Sequence, residues 1–271
     1  MIANNRDGIV FYTFNNLGKE KNIKHLFSTR SGGVSVNQFA SMNLSFSRGD
    51  DNESVMENFR RIARLGFPLE KMVFSDQIHG ITIRNVLEDD CGKGILKESD
   101  ILGVDGLMTN VPGIVLVTFH ADCAPLYFYD PVKNAIALSH AGWRGTFMEI
   151  GKITIDEMQE KFGSRPGDIL AGIGPSICQK CFETGADVAD MFLEKFDFSP
   201  EFIMHRPANP DKRYIDLWGI NKQMLISAGV LAHNIELPDL CTKCNTDIFY
   251  SHRESGWERG NMAAFLSILS A

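Results

Sequence analysis

The stretch GIVLVTFHADCAPLYFYDPVKNAIALSHAGWRG, residues 113–145, decides how the fold is read. Gly113 to Phe119 is a continuous apolar, β-branched run, the pattern of a strand buried on both faces. Leu126 to Tyr129 and Ala135 to Ser139 read as two more short strands, joined by the turn at Asp130-Pro131. Asp122-Cys123 lies between the first two runs, and Pro125 is predicted to stop regular pairing there. The third run delivers His140 to a turn built on Gly142 and Gly145. A helix is predicted from near Thr146 to just before Gly163, with Phe147, Ile150, Met158 and Phe162 inward. An imidazole and a thiol thus stand on neighbouring apolar segments, each where a strand breaks into a turn.

Outward from this stretch the pattern keeps mixing strands and helices. Asp51-Asn52-Glu53 leads into an amphipathic helix with Val55, Phe59 and Ile62 on one stripe, ending near Gly66. Met72 to Ser75 and Ile81 to Val86 read as strands around a turn at His79-Gly80. Ile169 to Ile173 is strand-like, and helices are predicted near 186–196 and 217–228. Asp216 would cap the last of these, and Gly229 would end it. Arg206 to Arg213, with two prolines, reads as a surface loop. No repeat, low-complexity tract or linker divides the chain. The expectation is one domain over 1–271, of α/β or α+β class, around a buried central sheet.

With 44% apolar and 23% charged residues, the chain has the composition of a soluble globular protein. Its net charge of −7 argues against a nucleic-acid partner, which would call for a basic face. No apolar run is long enough to span a bilayer, so no membrane association is expected. The N-terminus has no apolar core of a secretory signal, so a cytoplasmic location is expected. In that compartment the six cysteines read as thiols or ligands, not disulfides.

His79, Cys123 and His140, all at the ends of strand-like runs, are what a three-ligand catalytic zinc site requires. They equally suit a Cys-His nucleophile. His120 is a competing ligand, although strand alternation points it away from Cys123. Arg144, with a helix N-terminus just beyond it, is a candidate anion contact. Trp143 and Phe119 are candidates to stack on a planar ligand, and Asp122 is a candidate proton carrier. Cys178-Gln179-Lys180-Cys181 and Cys241-Thr242-Lys243-Cys244 are two Cys-x-x-Cys pairs able to hold a structural zinc. Their separation far exceeds the spacer of a compact zinc ribbon, so unlinked thiols are the favoured expectation. Two polar clusters stay open between structural and substrate-facing roles. One is Ser28-Thr29-Arg30-Ser31-Gly32-Gly33-Val34-Ser35; the other joins Phe249-Tyr250-Ser251-His252-Arg253 with Arg259-Gly260-Asn261.

These motifs together resemble one family. Ser28-Thr29-Arg30, Gly32-Gly33-Val34-Ser35, Asn43-Leu44, Gly49-Asp50, Gln77-x-His79-Gly80 and Asp105-Gly106-Leu107-Met108-Thr109 match it in order. So do Ala121-Asp122-Cys123-Ala124-Pro125, His140-Ala141-Gly142-Trp143-Arg144-Gly145, Gly174-Pro175-x-Ile177, Cys181-Phe182-Glu183 and Cys241-Thr242. The family is the laccase-domain group, also called the YfiH/YlmD or multicopper polyphenol oxidase family, and the likeness runs from about residue 23 to 266. The resemblance implies a cytosolic single-domain enzyme with a four-layer α/β/β/α fold of the YfiH-like cysteine-hydrolase type. It implies a zinc-dependent purine nucleoside phosphorylase, a monomer or small homo-oligomer. The implied substrates are phosphate with adenosine, inosine, guanosine or methylthioadenosine, with adenosine deamination in the same site. The family's His, Cys, His ligand set carries over onto His79, Cys123 and His140. Copper-dependent polyphenol oxidation and a Cys-His hydrolase of peptidoglycan precursor editing are the alternatives the family carries.

The chain departs from the family in two places. Where the family often has an Arg after the Asn of its first helix, this chain has Asn58-Phe59, which leaves Arg48 or Arg60 to meet an anion. Cys178 and Cys244 turn lone family cysteines into pairs. A multicopper cluster needs a large set of imidazoles, and seven histidines without a His-x-His pair cannot build one. A single Cu(II) bound in place of zinc at a His₂Cys site remains within reach of these ligands.

Overall fold

The computed structural model describes residues 1–206 and 210–270. In chain order the N-terminal half contains β1 (Ile2–Arg6), β2 (Ile9–Thr13), β3 (Ile23–Ser28), α1 (Asn52–Arg64), β4 (Met72–Phe74) and β5 (Ile83–Asn85). Next come β6 (Gly106–Thr109), β7 (Val115–His120), β8 (Ala124–Asp130), β9 (Ala135–Ala141), α2 (Trp143–Phe147), α3 (Ile150–Phe162) and β10 (Leu170–Ile173). The rest comprises β11 (Glu183–Gly185), α4 (Ala186–Lys195), β12 (Ile203–His205), β13 (Lys212–Ile215), α5 (Leu217–Ser227), β14 (Ile235–Glu236), α6 (His252–Ser255) and β15 (Met262–Ile268).

Two mixed six-stranded sheets form the centre, ordered β1-β2-β3-β15-β7-β4 and β14-β10-β8-β9-β6-β5. They face each other across one core, where Phe27, Leu116, Ala264 and Leu266 of the first sheet meet Leu107, Tyr127, Tyr129, Ile136 and Leu138 of the second. The outer face of the first sheet, with Leu26, Val115, Val117 and Phe265, is covered by Val55, Phe59 and Ile62 of α1. The outer face of the second, with Leu126, Phe128, Ala135 and Ala137, is covered by Ile150, Ile155 and Met158 of α3 and Leu225 of α5. The layers therefore run helix, sheet, sheet, helix. Strands buried on both faces have no solvent side to make polar, which is why β7, β8 and β9 read as continuous apolar runs. Each fully buried Leu or Phe adds roughly 1.5–3 kcal/mol of hydrophobic stabilisation. A third, small sheet, β11-β13-β12, packs with α4 and α5 around Phe182, Phe192 and Ile215.

The predicted helix near Thr146 is two helices. Glu149 lies in the left-handed region at φ 67 and breaks the chain between α2 and α3, leaving α2 with only five residues. Pro125 does not end regular pairing: it lies inside β8 opposite His140, and its carbonyl accepts from Gly174 N–H at 2.9 Å. Only the missing N–H of proline is lost from the ladder. Asp216 caps α5 as predicted, accepting from Trp218 and Gly219 N–H. Part of the predicted loop Arg206 to Arg213 lies outside the described residues, and Lys212-Arg213 already belongs to β13. Among the described residues no helix is long and apolar enough to cross a membrane.

Candidate metal centre and adjoining cavity

His140 comes from β9, Cys123 from the β7–β8 junction, and His79 from the turn between β4 and β5. The antiparallel ladder that sets Ala124 opposite Ala141 and Pro125 opposite His140 brings the thiol and the first imidazole to one end of the second sheet. His79 reaches them from a backbone at φ 63, an unusual conformation for a side chain of this size. The Asp105 carboxylate holds that turn, accepting backbone N–H from Ile78 at 3.0 Å, His79 at 3.0 Å and Gly80 at 2.7 Å. The same carboxylate pairs with His140 Nδ1 at 2.9 Å, which leaves Nε2 of His140 for the site.

One donor atom from each of His79, Cys123 and His140 lies within 4.8 Å of the others. Cys123 Sγ is 3.9 Å from His79 Nε2, and the two imidazole rings are 4.9 Å apart. Gly142 closes the far side; a Cβ there would stand 2.9 Å from His79 Cδ2 and 3.1 Å from Cys123 Sγ. Burial alone would raise the Cys123 thiol, but His140 and then His79 beside it bring it down to about 6. Burial disfavours a charged His140, yet Cys123 and Asp105 together raise it to about 9. Burial likewise opposes ionised Asp105, while His140 and the backbone N–H groups hold its carboxyl below the usual range. One sulfur and two imidazole rings form a donor set that suits zinc or copper, the proton of His140 being displaced when a metal binds.

His120, the competing ligand, does not join. Both its ring nitrogens are engaged, with Thr118 Oγ1 at 2.8 Å and the Cys123 carbonyl at 3.1 Å. Burial, followed by the charge of His140, pushes it well below an ordinary histidine.

A cavity of about 380 Å³ opens beside the three donors. Phe119, Phe46 and Phe74 supply apolar wall; Trp257, 73% exposed, stands at the opening. Arg48 and Arg259 line it too, with the Arg48 guanidinium 5.0 Å from the Trp257 ring centre. Arg259 is only 5% exposed, donates to the Gly260 carbonyl at 3.0 Å and to Asn261 Oδ1, and is brought down to about 10 by burial and then by Arg48. The Nε of each arginine is buried without a partner, and among the described residues neither forms an ion pair. A buried and a half-buried guanidinium lining one cavity, neither in ion-pair contact with a carboxylate, make a strong demand for an anion.

The other candidates take different places. Arg144 is exposed, lies over its own neighbour Trp143 at 4.4 Å, and does not line the cavity; α2 is a single turn and offers no extended dipole to an anion. Trp143 packs against the apolar cluster of the third sheet, whereas Phe119 does face the cavity. Asp122 is 8% exposed, at φ 81, and accepts from Thr242 Oγ1 at 2.6 Å, Ser251 Oγ at 3.1 Å and Arg253 N–H at 2.6 Å. Its carboxylate clamps two segments, that of Thr242 and the start of α6, and is not a free proton carrier. Arg30 is structural, donating to the carbonyls of Ala40 and Thr246 and stacking on Tyr250. Phe59 is fully buried and stacked on Phe46, so it sits behind the cavity wall where the family places an arginine. The four thiols expected to be unlinked are gathered instead: Cys178, Cys181, Cys241 and Cys244 lie with all Sγ atoms within 4.8 Å of one another.

Asp105 and Arg259 are the functional side chains that sequence reading passed over. Both lay inside quoted motifs, but nothing local says that a carboxylate before β6 reaches a histidine on β9.

Facing sheets between helical layers, with a His–Cys–His cluster at strand ends beside an anion-seeking cavity, define an α/β protein of the laccase-domain type with a metal-competent site. The chain belongs to that family: the model for multi-copper polyphenol oxidoreductase laccase matches residues 24–269. It is 35% identical over 247 residues to purine nucleoside phosphorylase YlmD of Bacillus subtilis, covering 90% of this chain and 88% of that one. It is 36% identical to adenosine deaminase RL5 of an unknown prokaryotic organism, covering 86% of this chain and 90% of the relative. The crystal structure of YlmD from Geobacillus stearothermophilus superposes with a TM-score of 0.90 at 33% identity, over 98% of both chains. These relatives are named as enzymes of purine nucleosides.

Proposed function

We propose that this protein is a zinc-dependent purine nucleoside phosphorylase that also deaminates adenosine. The observation that carries the reading is the meeting, in one cavity, of the His79–Cys123–His140 cluster with the unpaired arginines Arg48 and Arg259. Phosphorolysis brings a dianion against the anomeric carbon of a nucleoside, so it needs cationic donors that are not already neutralised. Arg48 and Arg259 fill that role in place of the family arginine displaced by Phe59. Phe119 and Trp257 offer flat faces to a purine ring. His252 and Asp76 are the remaining titratable groups of the lining for the proton that the departing base takes up.

His79, Cys123 and His140 would hold the zinc, with Asp105 fixing the His140 ring and the His79 turn. A zinc ion held by these three residues would supply Lewis-acid activation of water, the chemistry that deamination requires. With only seven histidines in the chain, and three ligands gathered here, copper chemistry of the multicopper kind has no support.

One observation favours a second reading. A lowered Cys123 thiol, His140 beside it and Asp105 behind His140 have the order of a nucleophile, a base and an orienting carboxylate. A metal-free hydrolase does not need His79, however, and that ring is held within 3.9 Å of the thiol by a strained turn. The experiment is phosphate-dependent release of free purine from inosine and adenosine by zinc-loaded protein, with His140→Ala and Arg259→Gln alongside. The expected result is release that needs phosphate and His140, with the phosphate KM raised about 10- to 100-fold in Arg259→Gln. Zinc-loaded, folded protein that releases no base would overturn the reading. Rapid alkylation of Cys123 by iodoacetamide in the as-purified enzyme would favour the hydrolase instead.

A further inference from the structure

We propose that Cys178, Cys181, Cys241 and Cys244 form a second, structural zinc site whose two arms grip Asp122 and so hold Cys123 in place. The four sulfurs come from two Cys-x-x-Cys turns distant in sequence, yet all lie within 4.8 Å of one another. A tetrahedral zinc with bonds of about 2.3 Å needs four sulfurs roughly 3.8 Å apart, close to this spread. A disulfide would use two of them and strand the others. Cys181 and Cys244 approach to 3.4 Å without being bonded, and all six cysteines are free.

The backbone around the cluster is built for thiolates. Cys178 N–H donates to Cys241 Sγ at 3.2 Å. Cys181 N–H turns back onto the Cys178 carbonyl at 3.0 Å, which curls the first pair into a tight turn. Each turn is closed by the same kind of bond, Phe182 N–H to the Cys178 carbonyl at 2.9 Å and Asn245 N–H to the Cys241 carbonyl at 3.2 Å. Each pair also carries a lysine, Lys180 or Lys243, the second ion-paired with Glu254 at 3.5 Å. No partly buried cluster of four thiols is needed for packing; small apolar residues would fill the space without the risk of oxidation.

The consequence reaches the cavity. Ile177, next to Cys178, donates its N–H to the Asp122 carbonyl at 3.0 Å. Thr242, next to Cys241, donates its hydroxyl to the Asp122 carboxylate at 2.6 Å. The two arms also pair directly, Thr242 N–H donating to the Ser176 carbonyl at 3.1 Å. Asp122 is therefore held at φ 81 by one residue from each arm, and Cys123 follows it in the chain. A zinc that ties the arms together preserves the geometry of a ligand in the other site. The metal is closed by four protein ligands, leaving no position for substrate, so its role is structural.

Metal content by mass spectrometry, on protein purified with reductant and without chelator, tests the proposal. The expected result is two zinc ions per chain in the wild type and one in the double variant Cys178→Ser/Cys244→Ser. The variant His79→Ala/His140→Ala is expected to keep one. Reconstituted with Co(II), that histidine variant should show the charge-transfer and ligand-field bands of a tetrahedral tetrathiolate site. Its signal does not depend on whether the cysteine variant folds, nor on whether His79, Cys123 and His140 bind zinc. A histidine variant without metal and without these bands would overturn the proposal, as would a Cys181–Cys244 disulfide found by peptide mapping. Loss of the zinc should also speed amide exchange about tenfold both in the peptide around Asn245 and in the separate peptide around Asp122. Faster exchange confined to the cysteine turns would refute the grip on Asp122.

Discussion

Asp105 divides its carboxylate among four donors, three backbone N–H groups of the His79 turn and His140 Nδ1. It is wholly buried, so each of those donors would be left unpaired by its removal. Asp105→Asn retains the shape but replaces two acceptor oxygens by one oxygen and one NH₂. We expect it to lower metal affinity about 10- to 100-fold, the range typical of groups that orient metal-bound histidines. Competition with a chromophoric chelator measures this, and wild-type affinity would show that Asp105 does not orient the ligand. His79 and Asp122, at φ 63 and 81, are two of the few non-glycine residues in the left-handed region. Each is held there by side-chain hydrogen bonds across the chain, and each adjoins or belongs to the donor set.

At the scale of elements, the β7–β8–β9 meander does most of the positioning. Its register fixes how far Cys123 stands from His140, and the chain must then turn sharply at Gly142 to begin α2. Gly142 has an ordinary φ of −68, so its requirement is space and not backbone freedom. Gly142→Ala places a methyl against His79 and Cys123 and should cost about 1–3 kcal/mol of stability. Metal binding should fall with it, because the two donors must separate to make room. Thermal melts with and without added zinc check this; a variant whose melting temperature still rises with zinc as the wild type does would refute it. The cavity's cationic side comes from elsewhere, Arg48 from the loop before α1 and Arg259 from the approach to β15. The adjacency of β3 and β15 in the first sheet brings those distant segments together.

On the scale of the whole molecule, the two facing sheets bury polar groups that make stability depend on pH. His25 of β3 is 6% exposed and its Nε2 accepts Phe14 N–H at 2.8 Å, so it is needed in the neutral form. Burial lowers it to about 4, well under its unfolded value. Between those values the unfolded chain binds the extra proton. The contribution is therefore complete above about pH 6.5 and is lost as pH falls toward 4. From pH 7 to 5 this amounts to about 2 kcal/mol. Chemical denaturation at both pH values should show the loss in wild type and a smaller one in His25→Gln. An equal loss in both would assign the acid sensitivity to other groups.

Much of this could be read along the chain. Apolar runs bounded by turns located β7, β8 and β9, because strands buried on both faces must be apolar throughout. The spacing of Val55, Phe59 and Ile62 located α1, and the strand ends at His79, Cys123 and His140 marked the donors. These signals are local, since burial and turn chemistry leave their imprint on neighbouring residues. What escaped is long-range. β15 is as apolar as β7, but only pairing shows that it lies at the centre of a sheet. Arg144 looked like the anion contact because it follows His140, while tertiary packing turned it outward and brought in Arg259. Asp122 looked free until loops more than a hundred residues away closed on it. The Cys-x-x-Cys pairs looked too far apart because their spacing counts chain, whereas contact depends on where β10 and the segment after β14 are carried. The sequence alone thus determined the mixed α/β class, the main strands and the candidate donors, through local burial and turns, while its family resemblance implied the four layers. Tertiary structure decided the partners of each donor, the cationic wall and the meeting of the four thiols, because non-local packing sets those distances.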